Sequence, residues 1–140
     1  MRPTLTHLAL HVPDLQACID FYGRFCGMRV IHERAGKGSK IVWMCEPGKE
    51  HEFIFVIMPG GKDRQLPADD YSHFGFAVDS RKAVDAIAQQ AVRAGCLIWP
   101  PRDEPYPVGY YCGLRDPAGN YVEFSYGQPL GPGSEAMPTP

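Results

Sequence analysis

Two histidines and two glutamates stand at spacings that repeat. His7 and His73 are 66 residues apart in a chain of 140, and each is followed, 45 and 50 residues on, by a glutamate inside an apolar stretch, Glu52 and Glu123. Neutral imidazole and carboxylate together suit one divalent ion such as Fe(II), Mn(II), Ni(II), Co(II) or Zn(II), and two histidines with one carboxylate leave positions open for a substrate. An acidic side chain on an apolar strand costs several kcal/mol if it is buried without a partner, so it must face water, accept hydrogen bonds or bind a cation. Taken one at a time, a strand glutamate ordinarily faces solvent and a strand histidine is ordinarily a hydrogen-bonded structural residue. Recurrence in two copies is what points to four side chains gathered at one site.

The copies extend beyond these residues. THLALHVPDLQACIDFYGRFCGMRV from Thr6 and SHFGFAVDSRKAVDAIAQQAVRAGCLI from Ser72 share an order of parts: small polar residue, His, alternating apolar residues, Asp, an amphipathic stretch, Gly and a further apolar run. In the first copy Leu5, Ala9 and His11 share a strand face with His7, and Leu8, Leu10 and Val12 take the other, which predicts a strand buried on both sides. Asp14 is placed to cap a helix whose stripe is Leu15, Cys18, Ile19, Tyr22, Phe25 and Cys26, closed by Gly27. In the second copy Ser80 caps, Val84, Ile87, Ala88, Ala91 and Val92 form the stripe, and Gly95 closes it. Three apolar segments follow each helix: 28–33, 40–45 and 51–58, then 96–99, 110–114 and 121–126. Each half reads as βαβββ, so the fold class is α+β.

The modules are expected over about 1–58 and 71–127 of a single domain spanning 1–127, joined by the Pro/Gly/charged stretch 59–70. The tail 128–140, rich in Pro and Gly and poor in apolar residues, is expected to be poorly ordered. Aligning the halves by their turns sets Gly119–Phe124 over Gly48–Phe53 and makes Glu52 the twin of Glu123. Counting back from Pro59-Gly60 places Ile54 or Phe55 there instead, and a two-residue shift moves a side chain by about 7 Å. Glu52 is then a fourth ligand on the first alignment, and the set is two histidines and one carboxylate on the second.

The stretch from His7 to Val30, with SHFGFAV and RDPAGNYVEFSYG, resembles the vicinal oxygen chelate proteins: glyoxalase I, extradiol dioxygenases, methylmalonyl-CoA epimerase and the fosfomycin- and bleomycin-resistance proteins. The resemblance implies that the two modules form a curved, partly closed mixed sheet around a metal-binding cavity. It implies His7, His73 and Glu123 as metal ligands, with Glu52 near a further one, and a homodimer in which modules pair within one chain or between two. Glyoxalase-like lyase or isomerase chemistry on a small substrate chelating the ion through neighbouring oxygens is the leading expectation, with Glu123 or Glu52 as ligand and proton carrier. Extradiol Fe(II) dioxygenase chemistry is an alternative, although that branch resembles a pattern with a histidine and a tyrosine whose places here fall near Glu104 and Gly113. A non-catalytic drug- or antibiotic-binding resistance protein is another.

A net charge of -2 offers no basic field for nucleic acid or an anionic membrane. No apolar run reaches the roughly 18 residues of a membrane span and no signal peptide is visible, so a cytoplasmic protein is expected. Five cysteines without CxxC or zinc-finger spacing predict reduced, mostly buried thiols. His11 lies on the His7 face, more often a satisfied core position than a site. Trp43, Trp99, Tyr110, Tyr111, Phe124 and Tyr126 could wall a planar ligand, although strand aromatics are mostly core. The loop Pro100–Pro107 could cover a cavity mouth or merely connect, and Arg102 on it could hold an anion.

Overall fold

The computed structural model describes residues 1–36 and 39–140. In chain order it contains β1 (His7–Val12), α1 (Leu15–Cys26), β2 (Arg29–Gly36), β3 (Ser39–Cys45), β4 (Ile54–Pro59), β5 (Phe74–Ala77), α2 (Arg81–Ala94), β6 (Leu97–Glu104), β7 (Gly109–Arg115) and β8 (Tyr121–Tyr126). The expected α+β class and the two βαβββ modules are both present. They lie in two compact units, Met1–Gln65 with Pro117–Gly119, and Leu66–Asp116 with Asn120–Pro140. Each unit has a four-stranded mixed sheet that does not close, in the orders β1-β4-β3-β2 and β5-β8-β7-β6. The first and last strands of each module run parallel and the other pairs antiparallel.

Both helices begin and end at the residues that the sequence marks. The Asp14 carboxylate accepts from the Ala17 amide at 3.0 Å, the Ser80 hydroxyl from the Ala83 amide at 3.1 Å, and Gly27 and Gly95 turn the chain at φ 64° and 71°. These positive angles suit glycine, which has no Cβ to clash. In the first unit α1 buries Cys18, Phe21 and Tyr22, with Tyr22 set edge-on to Phe55 at 5.4 Å. Leu10, Val12, Val42, Met44 and Ile57 complete that core. In the second, Val84, Ala88 and Ala91 are buried with Cys112, Leu114, Val122 and Phe124. Val92, at the margin of the α2 stripe, is exposed.

β1 differs from the two-sided burial expected of it. Leu10 and Val12 are buried, whereas His7, Ala9 and His11 are exposed, because each unit supplies one helix and therefore covers one sheet face. β4 starts at Ile54 rather than 51, since the amides of Glu52 and Phe53 bond back to the Lys49 carbonyl in a turn. β6 runs on through Pro100 and Pro101 to Glu104, where a loop is expected. It is an edge strand, and its register shifts on either side of Trp99, the setting in which a residue without an N–H is tolerated.

Candidate metal centre

β8 lies between β5 and β7, and Glu123 stands near its centre, 8% exposed. Its neighbours across the sheet are both glycines, Gly75 on β5 and Gly113 on β7. A Cβ on Gly75 would lie 3.2 Å from Glu123 Oε2, so the carboxylate occupies space that a side chain there would contest. Oε2 accepts from Gln128 Nε2 at 3.2 Å, and Oε1 faces Nε2 of His73 at 3.7 Å. The opposite ring nitrogen of His73, Nδ1, lies 2.7 Å from the Tyr71 carbonyl oxygen. A carbonyl can only accept, so Nδ1 carries the proton, and in the neutral ring the Nε2 lone pair points towards a carboxylate oxygen. Two electron-rich atoms so placed suit a cation between them.

A divalent ion fits that gap. The 3.7 Å separation exceeds ordinary hydrogen-bond reach. It is less than about 4.2 Å, twice a typical metal–nitrogen or metal–oxygen length, so both atoms can touch one ion. His73 also meets Trp99 edge to face at 5.6 Å, which fixes the ring plane. The two residues border a cavity of about 630 Å³, whose walls include Tyr71, Trp99, Arg102 and Tyr111. Among the described residues, no three His, Cys, Asp or Glu side chains converge, so the pair lacks a third protein ligand from its own unit.

His7 stands in the first unit, at the start of β1, with Nδ1 3.0 Å from the Thr6 hydroxyl. It lines a cavity of about 370 Å³ with Trp43, His51, Glu52, Ile54 and Val56. The register places Ile54 beside His7 and Val56 beside Ala9, as Glu123 lies beside Gly75. Since His7 precedes Ala9 by the same two residues as His73 precedes Gly75, the topological twin of Glu123 is Val56. The turn alignment that selects Glu52 is displaced by four residues, and the alternatives Ile54 and Phe55 by two and one. The cause is the tight turn of residues 46–53, which keeps Glu52 out of β4 yet inside the cavity of His7.

Of the other candidates, Trp43, Trp99, Tyr111 and Arg102 line cavities. His11 sits at the far end of β1, its Nε2 3.5 Å from where a Cβ on Gly60 would stand. Tyr110 donates to Asp85 and carries the Arg81 guanidinium 4.1 Å above its ring, and the Asp85 contact raises its phenol pKa. Phe124 stacks on Phe76 in the core and Tyr126 is exposed. The five cysteines are free thiols, three of them buried, and burial pushes Cys112 up to about 12. Sequence reasoning missed Gln128, which Gly127, at φ 93°, turns back towards Glu123. No periodicity marks a residue placed by one turn. The tail beyond it forms turns at Gly131–Ser134, and Tyr106 donates to the Pro138 carbonyl.

Residues 4–124 match the sequence profile of the glyoxalase/bleomycin resistance protein/dioxygenase superfamily. The chain belongs to that superfamily. An uncharacterized protein of Pseudomonas aeruginosa is 79% identical to this superfamily member over the whole of both chains. A possible glyoxalase from Bacillus cereus is 27% identical, with a TM-score of 0.66 over 86% of this chain and 96% of that one. A mutant of the fosfomycin resistance protein FosX from Listeria monocytogenes, complexed with Mn(II) and 1S,2S-dihydroxypropylphosphonic acid, shares the fold at a TM-score of 0.73 and 21% identity, over 91% of this chain and 95% of that one. No helix among the described residues of this superfamily member is long and apolar enough to cross a membrane.

Proposed function

We propose that the protein is a metal-dependent enzyme of this superfamily that binds a small substrate through neighbouring oxygens and carries out a glyoxalase-like lyase or isomerase reaction. The observation that carries this reading is the 3.7 Å approach of His73 Nε2 to Glu123 Oε1, with Nδ1 committed to a carbonyl. His73 and Glu123 hold one divalent ion, and His7, supplied by the same chain or by a second copy in a homodimer, completes the set. When bound, the ion polarises the substrate oxygens and stabilises negative charge that develops on them.

The chain's own residues do the rest. Tyr71 fixes the tautomer and plane of His73, and Gln128 occupies Oε2 of Glu123 so that Oε1 is the oxygen left to ligate. Glu52, which lines the cavity of His7, is in this reading the carboxylate that takes up and returns a proton. Trp99 and Tyr111 give the other cavity apolar walls that limit water beside the reacting atoms.

Val56 at the place equivalent to Glu123 favours a ligand set of two histidines and one carboxylate, which supports Fe(II) dioxygenase chemistry as the second reading. Gly113 weighs against it: it stands where that branch resembles a tyrosine, and the Trp99 ring covers it. Metal analysis of untagged protein, followed by oxygen uptake with a catechol panel, tests both. About one ion per chain without oxygen uptake is the expected result. Oxygen uptake would move the assignment to the dioxygenase. No metal, and none rebound on titration, would overturn the proposal and leave a ligand-binding protein.

A further inference from the structure

The registers place two rows of residues on the open face of the second sheet. One row is Gly75, Glu123, Gly113 and Trp99, and the next is Ala77, Ser125, Tyr111 and Arg102, each read from β5 across β8 and β7 to β6. Trp99 and Arg102 are three residues apart, which in a regular strand would set them on opposite faces. They pair with Gly113 and Tyr111, which are only two apart. The extra residue is the bulge at Pro100-Pro101, and it turns Arg102 to the face that carries Glu123.

Gly113 serves the same face. A Cβ there would lie 2.1 Å from Trp99 Cε3 and 2.7 Å from Cδ2, so the indole occupies the space over the glycine, one strand away from the carboxylate. Arg102 is the one lysine or arginine among the residues bordering that cavity. Its Nε is 3.5 Å from Glu104 Oε1, its own side chain is 68% exposed and that of Glu104 39%, and its guanidinium keeps further donors to offer. Two strand spacings and two residues of rise separate Arg102 from Glu123 by about 12 Å between Cα atoms. The face thus presents, in order, the His73 and Glu123 pair, the Trp99 indole, and a cation.

We infer that the substrate is a planar, unsaturated or aromatic anion, with its chelating oxygens at His73 and Glu123, its flat body on Trp99 and its negative group, remote from those oxygens, on Arg102. The inference rests on the metal reading above for its chelating end alone. Trp99 and Arg102 are specificity-determining residues in this arrangement. Neither is a ligand of the ion.

Calorimetry with two matched pairs of probes separates the claims. On Co(II)-loaded protein without oxygen, dihydrocaffeate is expected to bind about tenfold or more tightly than its uncharged methyl ester, as a charge-assisted contact provides. Arg102→Met should reduce that preference to within about twofold, and Trp99→Leu should weaken acid and ester together. Hydrocinnamate and its methyl ester, which lack the chelating oxygens, should show the same Arg102-dependent preference on metal-free protein. Equal binding of acid and ester, or a preference that survives Arg102→Met, would overturn the inference. Loss of the Co(II) contribution alone, with the hydrocinnamate preference intact, would count against the metal reading instead.

Discussion

Gln128 donates to Oε2 of Glu123 and leaves Oε1 facing His73, which gives Gln128 a measurable role. Outer contacts of this kind typically change metal affinity by about 10- to 100-fold. Gln128→Ala should weaken Co(II) binding by at least about tenfold, read by metal titration, and should also lower the stability of the metal-free protein in thermal denaturation, because it strips a nearly buried carboxylate of its donor. Gly113→Ala should act differently, because its methyl would displace the Trp99 ring. The cost is about 1–3 kcal/mol in denaturant unfolding, the range for overpacking. At this scale the sequence repeat picks out His73 and Glu123, which the fold brings to 3.7 Å, and His7, which lines a separate cavity in the other unit. Gln128 was not legible, since its position depends on one glycine turn, and the twin of Glu123 was misread because a turn of different length precedes β4.

Elements whose ends are fixed by local chemistry were the most legible. Asp14, Gly27, Ser80 and Gly95 act within a few residues, so the cap positions predict the helices without tertiary information. Asp14→Ala and Ser80→Ala should each cost about 1 kcal/mol by denaturant unfolding. β6 was less legible because a proline pair reads as a loop unless the strand is known to lie at a sheet edge. The turn before β4 carries its own pH signature. Glu50 is lowered from 4.5 to about 2 by backbone N–H donors and by the Arg29 guanidinium. A lowered carboxylate stabilises the fold fully above its unfolded pKa, and that contribution is lost as pH falls through the folded value. The Glu50 contribution should therefore be complete above about pH 4.5 and decline towards pH 2, and Glu50→Gln should flatten acid unfolding over that window.

At the scale of the molecule, duplication is the organising fact. Each unit covers one sheet face with a helix and leaves the other open, and among the described residues neither unit gathers three His, Cys, Asp or Glu side chains. Strand alternation in the sequence could not reveal this, because a face of His7, Ala9 and His11 is compatible with either a buried site or an open surface. The proposed homodimer predicts a sedimentation mass near 31 kDa, twice the 15.6 kDa of the chain. Mixing His7→Ala with His73→Ala protein then decides how the ligands are shared: recovered metal binding assigns each site to two copies, and its absence assigns it to one chain. If His73 and Glu123 hold one divalent ion, Co(II) titration of untagged, metal-free protein should saturate near one ion per chain, and that saturation should be lost in His73→Ala and in Glu123→Ala. No saturation, or saturation undiminished by either substitution, would overturn the metal reading.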